Sequence, residues 1–232
     1  MRTEKIFNIA IDGPAGAGKS TIAKAVAKKL GFIYVDTGAM YRALALYFLR
    51  QGIRPEEEEK IAQACKNADV TIRYEDGAQK VILNGEDVSG QIRTEEVGNM
   101  ASGTSIYRPV REKLLDLQRS LAASSNVIMD GRDIGTCVLP DADAKVYLTA
   151  GSDVRAKRRY KELTEKGVMC NLEEIEQDII ERDRRDMNRE IAPLCQAPDA
   201  VLVDGSYMTI EQVIDAIIQV AVSRGLKVEG WK

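Results

Sequence analysis

Ile9-Ala10-Ile11-Asp12-Gly13-Pro14-Ala15-Gly16-Ala17-Gly18-Lys19-Ser20-Thr21 is the stretch on which the reading of this chain turns. Residues 13–20 fit G-x-x-x-x-G-K-[ST]. An apolar run from Ile6 to Asp12 precedes them and reads as a buried strand. Thr21 to Leu30 follows with helical composition and stops at Gly31, a suitable residue just past a helix end. In that strand–loop–helix setting, glycines let backbone N–H groups close on phosphate oxygens, and the helix adds its positive end. Gly13, Pro14, Ala15, Gly16, Ala17, Gly18, Lys19, Ser20 and Thr21 are therefore the expected cradle for the phosphates of ATP. Lys19 is placed to reach the β- and γ-phosphates, and the Ser20 hydroxyl to bind Mg2+.

Outward from this motif the pattern stays strand–helix. Phe32 to Val35 reads as a second strand ending at Asp36, and Thr37 as the cap of a helix running through Tyr41 to Arg50. Between Ala68 and Gln91 the texture changes. Two β-branched runs, Val70 to Tyr74 and Lys80 to Leu83, flank an Asp76-Gly77 turn, and Asn84-Gly85 offers another. An antiparallel hairpin here is an insertion in an otherwise βα chain. The alternation resumes with a helix over 110–122 and strands at 127–130 and 145–148. Ser152 is the expected cap of the next helix, and a long charged helix spans 172–189. A last strand at 200–204 and a helix over 209–223 follow, and the end, 220–232, is expected to fray. Five parallel strands make this an α/β fold.

Composition narrows the chemistry. The chain has 232 residues, room for one large α/β domain with a small insertion. A net charge of −3 argues against a nucleic-acid partner, which would call for a strong basic excess. No run is apolar for long enough to span a membrane, and Met1 to Ile11 lacks the apolar segment of a signal peptide. The four cysteines, Cys65, Cys137, Cys170 and Cys195, show no C-x-x-C spacing, so a reducing cytoplasm is expected. With no histidine, the usual general base is missing. Carboxylates, Lys, Arg, backbone amides or an oxygen-held metal must serve.

Other residues narrow the kind of phosphate chemistry. The base-reading motif N-K-x-D of GTPases is not found. Asp130 ends an apolar strand, where an acid assists the metal through water, but Gly131 follows it instead of a water-activating Glu. Asp36, at the end of the neighbouring strand, competes for the metal role. Transfer to a bound acceptor, with water excluded, is the better reading. Several anionic phosphates then need neutralising, which Arg does bidentately. Arg42 and Arg132 lie at strand ends, where open α/β sheets bind ligands. Arg155, Arg158 and Arg159 share a helical face, as do Arg182, Asp186 and Arg189. For both helical sets the alternative is a solvated face with weak ion pairs.

The first motif, Asp36-Thr37-Gly38-Ala39-Met40-Tyr41-Arg42, Asp130-Gly131-Arg132-Asp133-Ile134-Gly135-Thr136 and Glu181-Arg182-Asp183-Arg184-Arg185-Asp186-Met187-Asn188-Arg189 together resemble the bacterial cytidylate kinases. The likeness runs nearly end to end, whereas shikimate and dephospho-CoA kinases share only the first motif. It implies a P-loop nucleoside monophosphate kinase fold: a five-stranded parallel sheet flanked by helices, a small antiparallel β insert and a helical lid over about 152–166. The core would be 1–66 and 97–232, and 67–96 the monophosphate-side insert. The implied reaction moves the γ-phosphoryl group of ATP to CMP or dCMP, giving CDP or dCDP. The resemblance assigns the monophosphate to Thr37, Tyr41, Arg42, Ser102, Arg111, Arg132, Asp133, Arg182, Asp186 and Arg189. Ser102, Arg111 and Arg189 would read the base, Arg182 and Asp186 lie near the sugar, and Arg42 and Arg132 hold the phosphate. Lys19, Arg132, Arg158, Arg159 and Arg182 are the implied catalytic set, in a monomer. Thr37 stands where many relatives carry serine, and keeps the hydroxyl.

Overall fold

The computed structural model describes residues 5–228. The chain divides into two compact units, residues 1–34 with 125–232, and residues 35–124. A five-stranded parallel sheet has the order β2-β6-β1-β7-β8. Its strands are β1 (Asn8–Asp12), β2 (Ile33–Asp36), β6 (Val127–Gly131), β7 (Ala144–Thr149) and β8 (Val201–Asp204). The first unit also holds helices α1 (Lys19–Leu30), α6 (Ser152–Glu165), α7 (Leu172–Asn188) and α8 (Ile210–Ser223). β1 is central, and Ile9, Ala10 and Ile11 are all buried, as a strand covered on both faces requires. Ile22, Val26, Ile214, Ile217 and Ile218 complete this core from α1 and α8.

The second unit carries α2 (Thr37–Arg50), α3 (Glu58–Asn67), β3 (Val70–Glu75), β4 (Ala78–Leu83), β5 (Glu86–Asp87), α4 (Glu95–Thr104) and α5 (Arg108–Ser124). Met40, Leu44, Phe48, Ile61, Leu83, Ile92 and Leu114 are fully buried within it. The hairpin forms as read, with Asp76 and Gly77 both at positive φ (52° and 74°), the geometry of a two-residue turn matched to strand twist. Asn84 and Gly85 (47° and 87°) repeat the device and lead into β5.

Two expected caps are corrected. Asp36 caps α2: its carboxylate accepts the Ala39 N–H at 2.9 Å, and Thr37 is already the first helical residue. Gly151, not Ser152, precedes α6; the Ser152 hydroxyl donates to Glu176 on α7 instead, at 2.9 Å. Helices α3 and α4 are additions to the elements expected from the sequence. In α4, Gly98 and Gly103 disguise the helix in sequence, yet Thr94 caps it and Val97, Met100 and Ala101 are buried. After β6, residues 134–138 form one π-helical turn. The expected frayed end is helical through Ser223, and its last residues, 229–232, lie outside the described residues, as do 1–4. No described helix is long and apolar enough to cross a membrane.

Candidate active site

The loop after β1 folds as its motif demands. Gly13 has φ 149°, and a Cβ there would overlap the Leu148 carbonyl oxygen of β7, so only glycine fits. Gly18 sits in the left-handed region (φ 90°) at the start of α1, with no side chain capping the helix and no acid in its first turn. That leaves a helix N-terminus whose dipole and backbone favour an anion. Lys19 is buried, and its ammonium donates to the Pro14 carbonyl at 2.7 Å, lying across the loop. An ammonium has two further protons to give.

The acid that faces this loop is Asp130. Ser20 Oγ donates to its Oδ2 and Tyr34 Oη to its Oδ1, each at 2.9 Å. The rival, Asp36, is occupied otherwise: besides capping α2, its carboxylate accepts from Arg93 at 2.6 Å. Ser20 and Asp130 thus set two hard oxygen donors beside the cradle, a pairing suited to a hard divalent cation that takes its remaining ligands from phosphate and water. Among the described residues no three acids or thiols gather into an all-protein metal cage.

Charge is concentrated around Lys19. Burial, then the positive charge of Arg132, push its pKa well below the ordinary value, against the opposing pull of Asp130, Asp12 and Asp186. These groups therefore share one electrostatic neighbourhood. Arg132 is held there by Asp186, whose Oδ2 accepts from Nε at 2.9 Å. Asp186 is only 6% exposed, so this face of α7 is not a solvated one. Arg189 lies just past α7, 3.7 Å from Asp133, with both side chains buried. Arg182 is half-buried on the same helix.

In the second unit, Thr37, Tyr41 and Arg42 stand on the first turns of α2. The Arg111 guanidinium lies 5.7 Å over the Tyr41 ring and donates to the Ser105 carbonyl, and Ser105 Oγ donates to the Ser102 carbonyl. Tyr41, Arg111 and Ser102 are thereby linked, although 70 residues separate the first two in sequence.

The arginines of α6 do not converge. Arg155 is buried and committed to the carbonyls of Ala150 and Ala15 and to Asp183, at 2.7 Å. Arg158 donates to the Gly205 carbonyl, and Arg159 pairs with exposed Glu162.

Sequence reasoning missed Asp12. It is buried and accepts the N–H groups of Ile134 and Gly135 at 2.8 and 2.7 Å, tying the end of β1 to the turn that follows Arg132 and Asp133. Burial raises its pKa to about 6, opposed by those two N–H groups. Its place directly before Gly13 was the available signal.

Residues 9–223 match the family model described as Cytidylate kinase. A cytidylate kinase of Caldicellulosiruptor saccharolyticus is 51% identical over 215 residues, covering 93% of this chain and 95% of that protein. One from Geobacter sp. strain M21 is 48% identical over 207 residues, covering 89% of each. Among solved structures, an uncharacterized protein from Eubacterium ventriosum aligns with a TM-score of 0.53 at 13% identity, covering 94% of this chain and 99% of that one. That likeness is of fold alone.

Proposed function

The chain belongs to the cytidylate kinase family, and on that premise we propose that it transfers the γ-phosphoryl group of ATP to CMP or dCMP, forming ADP and CDP or dCDP. The observation that carries the reading is an uncapped helix N-terminus with Lys19 lying against the loop, Ser20 bonded to Asp130 and Arg132 held by Asp186. An oxygen of the acceptor phosphate attacks the γ-phosphorus, and the β–γ bridging oxygen leaves with ADP. That acceptor oxygen is already ionised at neutral pH, so no general base is needed, in keeping with a chain that has no histidine. Alignment and charge stabilisation are what the protein must supply.

Gly13 to Thr21 bind the ATP phosphates, and Lys19 stabilises charge that builds on the transferring group. Ser20 and Asp130 would hold Mg2+, which when bound neutralises the β- and γ-phosphate oxygens. Arg42 and Arg132 take the acceptor phosphate, with Thr37, Tyr41 and Asp133 beside them. Arg182 and Asp186 serve the sugar, and Ser102, Arg111 and Arg189 the cytosine. Cytosine offers an amino donor where uracil offers an acceptor, so a site matched to one leaves polar groups unpaired with the other. The segment 67–96 acts as the monophosphate-side insert of a core made of 1–66 and 97–232. Residues 152–166 act as the lid and bring Arg158 and Arg159 toward the transferring group. The enzyme works as a cytoplasmic monomer on free nucleotides, a setting suited to four cysteines that show no C-x-x-C spacing.

Steady-state turnover with CMP, dCMP, UMP and dephospho-CoA as acceptors tests the assignment. The two cytosine nucleotides should be the efficient acceptors. Preference for either of the others by kcat/KM would move the chain to another acceptor class.

A further inference from the structure

We propose that Gln79 is a positioning residue for the acceptor site: its side-chain amide grips both backbone groups of Asp36 and so sets the turn of α2 that bears Thr37, Tyr41 and Arg42. The inference rests on the kinase reading above and deepens it on the acceptor side.

Gln79 lies on β4, opposite Tyr74 in the hairpin. Its Oε1 accepts the Asp36 N–H at 2.8 Å, and its Nε2 donates to the Asp36 carbonyl at 3.2 Å. One amide thereby pairs a donor and an acceptor of the same residue, as a neighbouring strand would. The Asp36 side chain is fixed as firmly. One carboxylate oxygen caps α2 through the Ala39 N–H, and the other accepts from Arg93 at 2.6 Å. Asp36 is thus held through its backbone by the hairpin, through one oxygen by its own helix, and through the other by the segment after β5.

The orientation of Asp36 is passed directly to Arg42. Gly38, between them, is so closely packed that a Cβ there would lie 3.2 Å from Arg42 Nη1 and 3.3 Å from Asp36 Oδ1. The Arg42 guanidinium rests on the same turn that Asp36 caps. A displaced cap moves that guanidinium, and a misplacement of about 1 Å in a positioned group costs on the order of 10²-fold in rate. If Gln79 only stabilised the hairpin, its loss would lower thermal stability and leave both nucleotide constants alone.

The test compares wild type, Gln79→Ala, Gln79→Glu and Arg93→Ala by steady-state kinetics with CMP and dCMP, alongside KM for ATP and thermal melting. Gln79→Glu keeps the acceptor for the Asp36 N–H but loses the donor to its carbonyl, which covers the case in which Gln79→Ala does not fold. The expected result is a rise of roughly tenfold or more in KM for both acceptors in each variant, with KM for ATP within about twofold. Combining Gln79→Ala with Arg93→Ala should add less than the two single effects, because both act through Asp36. Wild-type acceptor constants in the folded Gln79 variants, or equal losses for ATP and acceptor, overturn the positioning role while CMP turnover by wild type keeps the kinase reading intact. No CMP turnover by wild type overturns both.

Discussion

Lys19, Asp186 and Asp12, all in the first unit, carry separable consequences. Lys19 is buried where its charge is disfavoured, so its presence is explained by chemistry rather than stability. Lys19→Ala should cost roughly 10²–10³ in kcat, the usual effect of losing one preorganised charge donor, while the melting temperature holds or rises. Near-normal turnover would remove Lys19 from the mechanism. Asp186→Asn separates a structural from a substrate role: its carboxylate holds Arg132 at 2.9 Å. Loss of that charge-assisted bond should raise KM or lower kcat by roughly tenfold or more for CMP and dCMP alike, with ATP little affected. Wild-type constants with both acceptors would return Asp186 to a merely structural role. Asp12 makes a pH prediction. Its folded-state pKa, about 6, lies above the ordinary 3.8. The folded chain therefore takes up a proton as pH falls through that window while the unfolded chain does not. Ionised Asp12 costs stability above about pH 6, and the cost fades toward pH 4. Against wild type, Asp12→Asn should gain relative stability as pH rises from about 4 to about 7 in denaturant melts. A difference that does not vary with pH contradicts the shift.

Elements differed in how plainly their residues announced them. β1 and β6 are unbroken apolar runs ended by Asp12 and Asp130-Gly131, and the hairpin carries Asp76-Gly77 at its tip. α4 was hidden, because glycines lower its helix propensity and its apolar face spans only a few residues. Its local support, beside the packing of Val97, Met100 and Ala101, is Thr94 at the cap and Glu95 and Glu96 in the first turn, where acids favour the helix dipole. Thr94→Ala should lower unfolding stability by about 1 kcal/mol in denaturant titrations and leave KM for ATP unchanged. A stability equal to wild type would mean that packing alone holds this helix. At α2 two good capping residues stand side by side, and sequence alone favoured the wrong one; the extended backbone at Asp36 decides between them.

Across the molecule, the G-x-x-x-x-G-K-[ST] loop was legible because its residues are contiguous and each glycine and the Lys-Ser pair has a stated physical task. The five parallel strands were legible because buried strands read as apolar runs. The linkages that shape the rest of the candidate site span long separations: Arg132 to Asp186 is 54 residues, Asp36 to Gln79 is 43, and Asp36 to Arg93 is 57. No periodicity connects positions that far apart, and only the folded chain brings them together. The same holds for the arginines of α6, whose common helical face did not reveal that Arg155 is already spent on the Ala15 carbonyl and Asp183. Gly131 follows Asp130 where a water-activating acid would otherwise stand, so this chain moves phosphoryl groups to a nucleotide and not to water. Following the γ-labelled phosphoryl group of ATP with and without CMP tests it most directly. The label should appear in CDP when CMP is present, and release of labelled phosphate without CMP should be negligible by comparison. Label released as inorganic phosphate at the same rate in both cases, with none in CDP, would contradict it.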